Sequence, residues 1–181
     1  PRAASPWRRY RQARLRRPAL ADVKIVAHIF PTRYAAVDRD LPRLMARHKP
    51  DALLMFGLAT RAKILRIETR ARNALTLLPD AGGLAPRRPA IAAGAAPTIP
   101  LPAPTRRLLA AVRATGMPAA LSRDAGRYLC NYLCWRATEA AAKAGGPRLA
   151  AFVHVPPVRG SARPRRDRQR RLSLDNLARG G

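Results

Sequence analysis

The sequence predicts an α/β protein: a three-layer α/β/α arrangement around a twisted, mostly parallel sheet. Three runs carry that expectation. Val23-Lys-Ile-Val-Ala-His-Ile-Phe30, Asp51-Ala-Leu-Leu-Met-Phe56 and Leu149-Ala-Ala-Phe-Val-His154 are short, largely apolar and closed by proline or glycine within two residues, as strands of a covered sheet are. Segments with a helical apolar period lie between them, and strands alternating with helices call for a sheet covered on both faces.

Taken in order, residues 1 to 20 carry arginines and prolines with weak periodicity and read as a basic N-terminal arm. Val23 to Phe30 is rich in β-branched residues and bounded by Pro31, which suits a strand. A helix follows at 34 to 48, where Leu41, Leu44 and Met45 recur at helical spacing and Lys49-Pro50 ends the run. Asp51 to Phe56 is a buried strand closed by Gly57, and Ile64 to Arg70 alternates apolar and polar residues as a further strand does. Residues 79 to 104 are dense in proline, alanine and glycine and read as a long surface loop or flap. A helix at 105 to 115 ends near Gly116, and Pro118 to Ser122 leads by a short strand into a helix that begins near Ala125-Gly126, capped by Asp124 or Ser122. That helix carries Cys130, runs to Lys143 and stops at Gly145-Gly146-Pro147. Leu149 to His154 is another buried strand, and Leu172 to Ala178 starts a last helix.

The 181 residues are most simply one domain, long enough to bury a core without disulfide or metal staples. Its hydrophobic fraction of 48% with only 5% aromatic residues implies an aliphatic core. The net charge of +26 would ordinarily point to nucleic acid. Lysine occurs only at Lys24, Lys49, Lys63 and Lys143, and the many arginines are spread along the chain, with clusters at 8 to 17 and 159 to 171 that read as solvated basic termini. No nucleic-acid motif accompanies the charge, so a basic nucleic-acid-binding protein stands as the weaker alternative. No segment has the apolar length of a membrane span, which favours a cytoplasmic protein with no membrane partner. The chain opens at Pro1 and stops at Gly180-Gly181, and is expected to be truncated at both ends.

Cys130 and Cys134 are the two cysteines, and at a spacing of four on one helix a disulfide would be strained. Neither His28 nor His48 stands at ligand spacing from them, so free thiols in a reducing compartment are expected and no metal site. A cysteine near a helix start has its thiolate favoured by the helix dipole. His154 ends its strand at Val155-Pro156, where α/β sheets place reactive groups. With Glu68 in Ile64-Leu-Arg-Ile-Glu68, the chain holds a nucleophile, a base and an orienting carboxylate in the order Glu, Cys, His. Each also has a plainer reading: cysteine as a small core residue, the histidine as a structural hydrogen-bonding group, and Glu68 as one half of a surface pair with Arg66 or Arg70. Cys134, His28 and His48 take the plainer one.

The three segments together resemble the pyroglutamyl peptidase I family, also called pyrrolidone-carboxylate peptidases. Ser122, Ala125, Gly126, Tyr128, Leu129, Cys130 and Asn131 match its Ser-x-x-Ala-Gly-Thr-aromatic-aliphatic-Cys-Asn motif. Phe152-Val-His154-Val-Pro156 matches its histidine strand end, 24 residues beyond the cysteine as in the family. Glu68, Ala71 and Asn73 match its Glu-x-x-Ala-x-Asn pattern, downstream of Gly57 and Ala59. The resemblance implies a phosphorylase/hydrolase-like sheet and a cysteine peptidase that cleaves after an N-terminal pyroglutamyl residue through a thioester, with no cofactor. It implies Cys130 as nucleophile, His154 as base and Glu68 as the group that orients it. Peptides with N-terminal pyroglutamate would be the partners, and the chain would form a homodimer or tetramer. Departures are Arg127 in place of threonine, Leu58, Thr60 and Arg61 in place of a glutamine- and glycine-rich turn, Leu78 where relatives often have arginine, and no counterpart of the family's first strand and Gly-Phe-x-x-Phe loop. Ala4-Ser5-Pro6-Trp7 reads as a remnant of the segment just after that loop, so a catalytically silent relative is the second alternative.

Overall fold

A computed structural model describes residues 22–157. The arm at 1 to 20 and the last helix expected at 172 to 178 lie outside them. In chain order the elements are α1 (Tyr34–His48), β1 (Ala52–Leu58), β2 (Leu65–Glu68), β3 (Arg70–Arg72), β4 (Thr98–Pro100), α2 (Thr105–Ala114), β5 (Ala119–Ser122), α3 (Leu129–Ala141) and β6 (Leu149–Val155). Four strands form the main sheet in the order β1-β6-β2-β5. Parallel pairs β1/β6 and β2/β5 are joined by an antiparallel β6/β2 seam, and β3 pairs with β4 in a separate antiparallel ribbon. Among the described residues no helix is long and apolar enough to cross a membrane.

The alternation of side chains along a strand sorts the sheet into two faces. Met55 on β1 and Ala150 and Phe152 on β6 pack with Trp135, Cys134 and Ala137 of α3, and Leu41 of α1 joins the same cluster. Leu65 and Ile67 of β2, Ala119 of β5 and Val153 of β6 form the other face, covered by Leu108, Leu109 and Val112 of α2. The result is the expected α/β arrangement with helices on both sides of a mostly parallel sheet. Glu68 and His154, one residue out of step with Ile67 and Val153, therefore point to the α3 side.

Two elements differ from expectation. Val23 to Phe30 forms no strand: no described segment pairs with it, and Val23, Val26 and Ile29 are 49%, 45% and 62% exposed. β-branched residues supply propensity, but a strand exists only beside a partner. Phe30 anchors the segment, packing against the α1 and α3 clusters, and His28 meets Asp40 of α1 at 3.4 Å. The helix carrying Cys130 begins at Leu129 rather than near Ala125-Gly126, after a Tyr128 whose side chain makes no capping bond. Gly126 has φ +86°, a left-handed turn that interrupts a helix. Asp124 closes that turn by accepting the Gly126 N–H at 2.9 Å and pairs with Arg72 Nη1 at 2.8 Å, while Ser122 Oγ accepts the Asp124 N–H at 3.3 Å. Cys130 is thus the second residue of its helix. The proline-rich segment at 79 to 104 carries β4, whose Thr98 and Ile99 pair with Arg72 and Ala71.

Polar side chains fasten these pieces. Asp80 reaches α1 from outside, accepting the Tyr34 N–H at 2.9 Å together with those of Gly82 at 2.7 Å and Leu84 at 3.1 Å. Burial alone would push its carboxyl up; the three N–H groups and Arg33 hold it below the usual range. At the other end, Lys49 takes the left-handed conformation and returns its N–H to the Met45 carbonyl, closing α1 before Pro50. Asn73 accepts the Ile91 and Ala92 N–H groups and donates to the Ala92 carbonyl, tying the long segment to the end of β3. Asn131, fully buried, behaves as an extra strand edge: its Oδ1 accepts the Arg72 N–H at 2.9 Å and its Nδ2 donates to the carbonyls of Arg72 at 2.8 Å and Ala74 at 2.9 Å. These bonds hold the first turn of α3 against β3. Replacing Asn131→Ala leaves three partly buried backbone groups without this partner and is expected to cost about 1–3 kcal/mol, read as a lower denaturant midpoint with an unchanged slope. A loss below about 0.5 kcal/mol would show that the peg carries no load.

Candidate active site

The site lies on the α3 face at the C-terminal ends of β1 and β6, where the antiparallel β2 runs past them. Register places His154 of β6 beside Gly57 of β1 on one side and Arg66 of β2 on the other. Glu68 lies two residues along β2 from Arg66 and therefore on the same face. His154 Nδ1 is 2.7 Å from Glu68 Oε1. Both groups are buried, His154 at 4% exposure and Glu68 at none. An ionised carboxylate only accepts, so Nδ1 carries the proton it donates to Oε1 and Nε2 is the nitrogen left for another partner. The Cys130 thiol is the other side chain that acts on the imidazole.

The electrostatics follow from this stacking. Burial alone would lower the His154 pKa, but the bonds to Cys130 and Glu68 and the charges on both reverse it, pushing it up to about 9. The ring is therefore an imidazolium at neutral pH. Glu68 Oε2 is buried with no hydrogen-bond partner among the described residues, and beyond the His154 ring the Arg66 Nε stands 3.9 Å from Oε1. A buried ionised carboxylate depends on such positive neighbours.

Cys130 is partly exposed and Cys134, one turn on, is fully buried. Burial first, then the negative charge of Glu68, pushes the Cys134 thiol well up, so it stays a protonated core residue. The Cys130 thiol is set low over the sheet by the missing side chain of Gly57. A Cβ there would stand 2.8 Å from Cys130 Sγ and 2.8 Å from Phe152 Cζ, closer than such atoms approach. As the second residue of α3, Cys130 also sits among N–H groups that have no intrahelical acceptor and beside the positive end of the helix. Chemically the arrangement can hold a thiolate against an imidazolium, present it to an electrophilic carbon, and offer unpaired N–H groups to a developing negative charge.

All three residues singled out in the sequence meet here. The surface-pair reading of Glu68 does not hold, because the side chain is fully buried. Cys134 packs in the core as expected, and His28 lies against Asp40 at 3.4 Å, away from the site. Sequence reasoning missed three contributors: Gly57, Asn131 and Arg66. Gly57 carried a signal, since a glycine after an apolar strand run marks close approach of another group. Asn131 stood only as a motif letter and Arg66 only as a possible surface partner. An open pocket of about 380 Å³ adjoins the histidine, lined by Leu58, Ala59, Thr60, Arg61, Ala62, Arg66 and His154 itself. Among the described residues no cluster of three or more His, Cys, Asp or Glu could hold a metal ion.

Comparison with known proteins places this geometry. The family model described as pyroglutamyl peptidase matches residues 8–179. A pyrrolidone-carboxylate peptidase of Pyrococcus furiosus is 28% identical over 138 residues, 76% of this chain and 66% of the relative. One of Thermococcus onnurineus is 30% identical over 138 residues, 76% of this chain and 69% of the relative. The chain thus spans about two thirds of the length of these relatives. Among solved structures, pyroglutamyl peptidase I of Bacillus amyloliquefaciens superimposes with a TM-score of 0.82 at 24% identity, covering 99% of this chain and 86% of the other. A pyrrolidone carboxyl peptidase of Thermococcus litoralis gives 0.81 at 22% identity, covering 97% and 81%. At those identities the superpositions speak for the fold, and the family match extends over nearly the whole chain. The chain belongs to the pyroglutamyl peptidase family.

Proposed function

We propose that this chain is a cysteine peptidase that hydrolyses the bond after an N-terminal pyroglutamyl residue, with Cys130, His154 and Glu68 as its catalytic groups. The observation that carries the proposal is the buried 2.7 Å bond between Glu68 and His154, with the Cys130 thiol acting on the same ring. The relatives named for this activity and the family match support the choice of substrate.

The reaction follows from the charges. The Cys130 thiolate attacks the carbonyl carbon of the pyroglutamyl residue, and the carbonyl oxygen takes up the negative charge of the tetrahedral intermediate. Backbone N–H groups at the start of α3 are the donors placed to receive it. His154 Nε2 gives its proton to the departing amine as the C–N bond breaks, leaving a thioester on Cys130 and a neutral imidazole. That imidazole takes a proton from water, which attacks the thioester; collapse expels the thiolate and releases pyroglutamate. Glu68 stays ionised throughout, holding the proton on Nδ1 and stabilising the imidazolium.

The test is release of a fluorescent amine from its pyroglutamyl amide. Activity in the parent and a loss of about 10⁴-fold or more in Cys130→Ala is the expected pair of results. Turnover that survives the substitution overturns the assignment, and absence of turnover in the parent favours the catalytically silent relative. The raised His154 pKa also fixes the alkaline behaviour. Its folded value lies above the ordinary histidine value, so the ring's contribution to stability is complete below about pH 6.5 and is lost as pH rises through about 9. Activity, which needs the imidazolium to protonate the leaving amine, is expected to hold up to about pH 9 and fall above it. A fall centred near pH 7 would contradict the coupling of the three groups.

A further inference from the structure

The pocket beside His154 carries a charge that the mechanism does not use. Arg66 lies on β2 directly across from His154 in the register, and Arg61 belongs to the exposed turn that follows β1. Both line the pocket, with Thr60, and among the described residues no acidic side chain lines it. Arg66 Nε is buried and finds no hydrogen-bond partner among the described residues, while its side chain as a whole is 40% exposed. Its inner end is thus committed to the neighbourhood of Glu68 and its outer end opens to solvent at the pocket. The rest of the chain adds to this local field: 36 basic residues face 10 acidic ones.

The location of the pocket says which part of a substrate would meet these cations. Nδ1 of His154 is taken by Glu68, so Nε2 must serve both the thiol and the departing amine. A peptide bonded to Cys130 therefore has its leaving nitrogen close to the imidazole, and the residue that follows that nitrogen falls against the pocket that His154 walls. We propose that this pocket selects pyroglutamyl peptides whose second residue is acidic, with Arg66 and Arg61 receiving the side-chain carboxylate. An arginine fork matches a carboxylate in shape as well as in charge. The proposal rests on the peptidase reading and names the substrate class within it.

The experiment compares two peptide amides that differ in one charge, pyroglutamyl-aspartyl-alanine amide and its asparaginyl counterpart. At low salt kcat/KM for the aspartyl peptide is expected to be higher by about tenfold, the size of a single well-placed pair, and the ratio should shrink as ionic strength rises. Arg66→Gln and Arg61→Gln should each lower the ratio toward one; the second, in an exposed turn, keeps the test informative if the first disturbs Glu68. Equal rates for the two peptides in the parent, at low salt, overturn the proposal while leaving the peptidase reading intact. Calorimetric binding of the same uncleaved peptides to Cys130→Ala gives an answer independent of turnover: tighter binding of the aspartyl peptide supports the pocket, and equal binding overturns it. Failure to hydrolyse either peptide bears on the peptidase reading alone.

Discussion

A carboxylate with no solvent exposure is tolerable only where positive charge and hydrogen bonds replace water, and among the described residues Glu68 has a single close hydrogen-bond partner, the His154 ring at 2.7 Å. That bond sets the conditions for the rest of the site. It fixes the proton on Nδ1 and, added to the larger influence of Cys130, makes the protonated ring the stable form at neutral pH. The sheet exists in a form that permits it, because the antiparallel β6/β2 seam brings Arg66, Ile67 and Glu68 opposite His154, Val153 and Phe152. Shifting that register by one residue would send His154 and Glu68 to opposite faces.

The thiol depends on two further constraints acting from opposite sides. From below, Gly57 leaves room for Cys130 Sγ and the Phe152 ring in the same small space. From the side, Asn131 satisfies three backbone groups of the β3 region and so fixes where α3 begins. A helix that started at Gly126, as caps and composition suggest, would place Cys130 a full turn deeper, away from the positive end and its unpaired N–H groups. The left-handed Gly126 and the Asp124 turn prevent this, leaving the cysteine in the first turn.

Much of this was legible in the sequence, and the parts that were not share a physical reason. α1 covers the residues its apolar period marks, and the strands at Ala52–Leu58 and Leu149–Val155 grow from the two continuous apolar runs. Such elements are specified by their own residues. Val23 to Phe30 has a strand's composition but no paired strand among the described residues, and a ladder cannot be read from one of its edges. Glu68, Cys130 and His154 could be named from spacing and resemblance, whereas Gly57, Asn131 and Arg66 gain their meaning from contacts between segments far apart in the chain. The net charge of +26 was the least readable feature. In sequence it resembles a diffuse bias; folded, it includes two arginines at the mouth of the site, with no acidic side chain among the described residues lining the pocket against them.

The chemistry of the site turns on the protonation state of one ring. NMR of protein labelled in its histidine rings, with His154 assigned by its absence in His154→Gln, reads that state directly. The coupling of Glu68, His154 and Cys130 predicts that the His154 resonances report an imidazolium at neutral pH and titrate near 9, with the Nδ1 proton held in a strong hydrogen bond. A His154 ring that is neutral at pH 7, titrating at or below the ordinary value near 6.5, would contradict it.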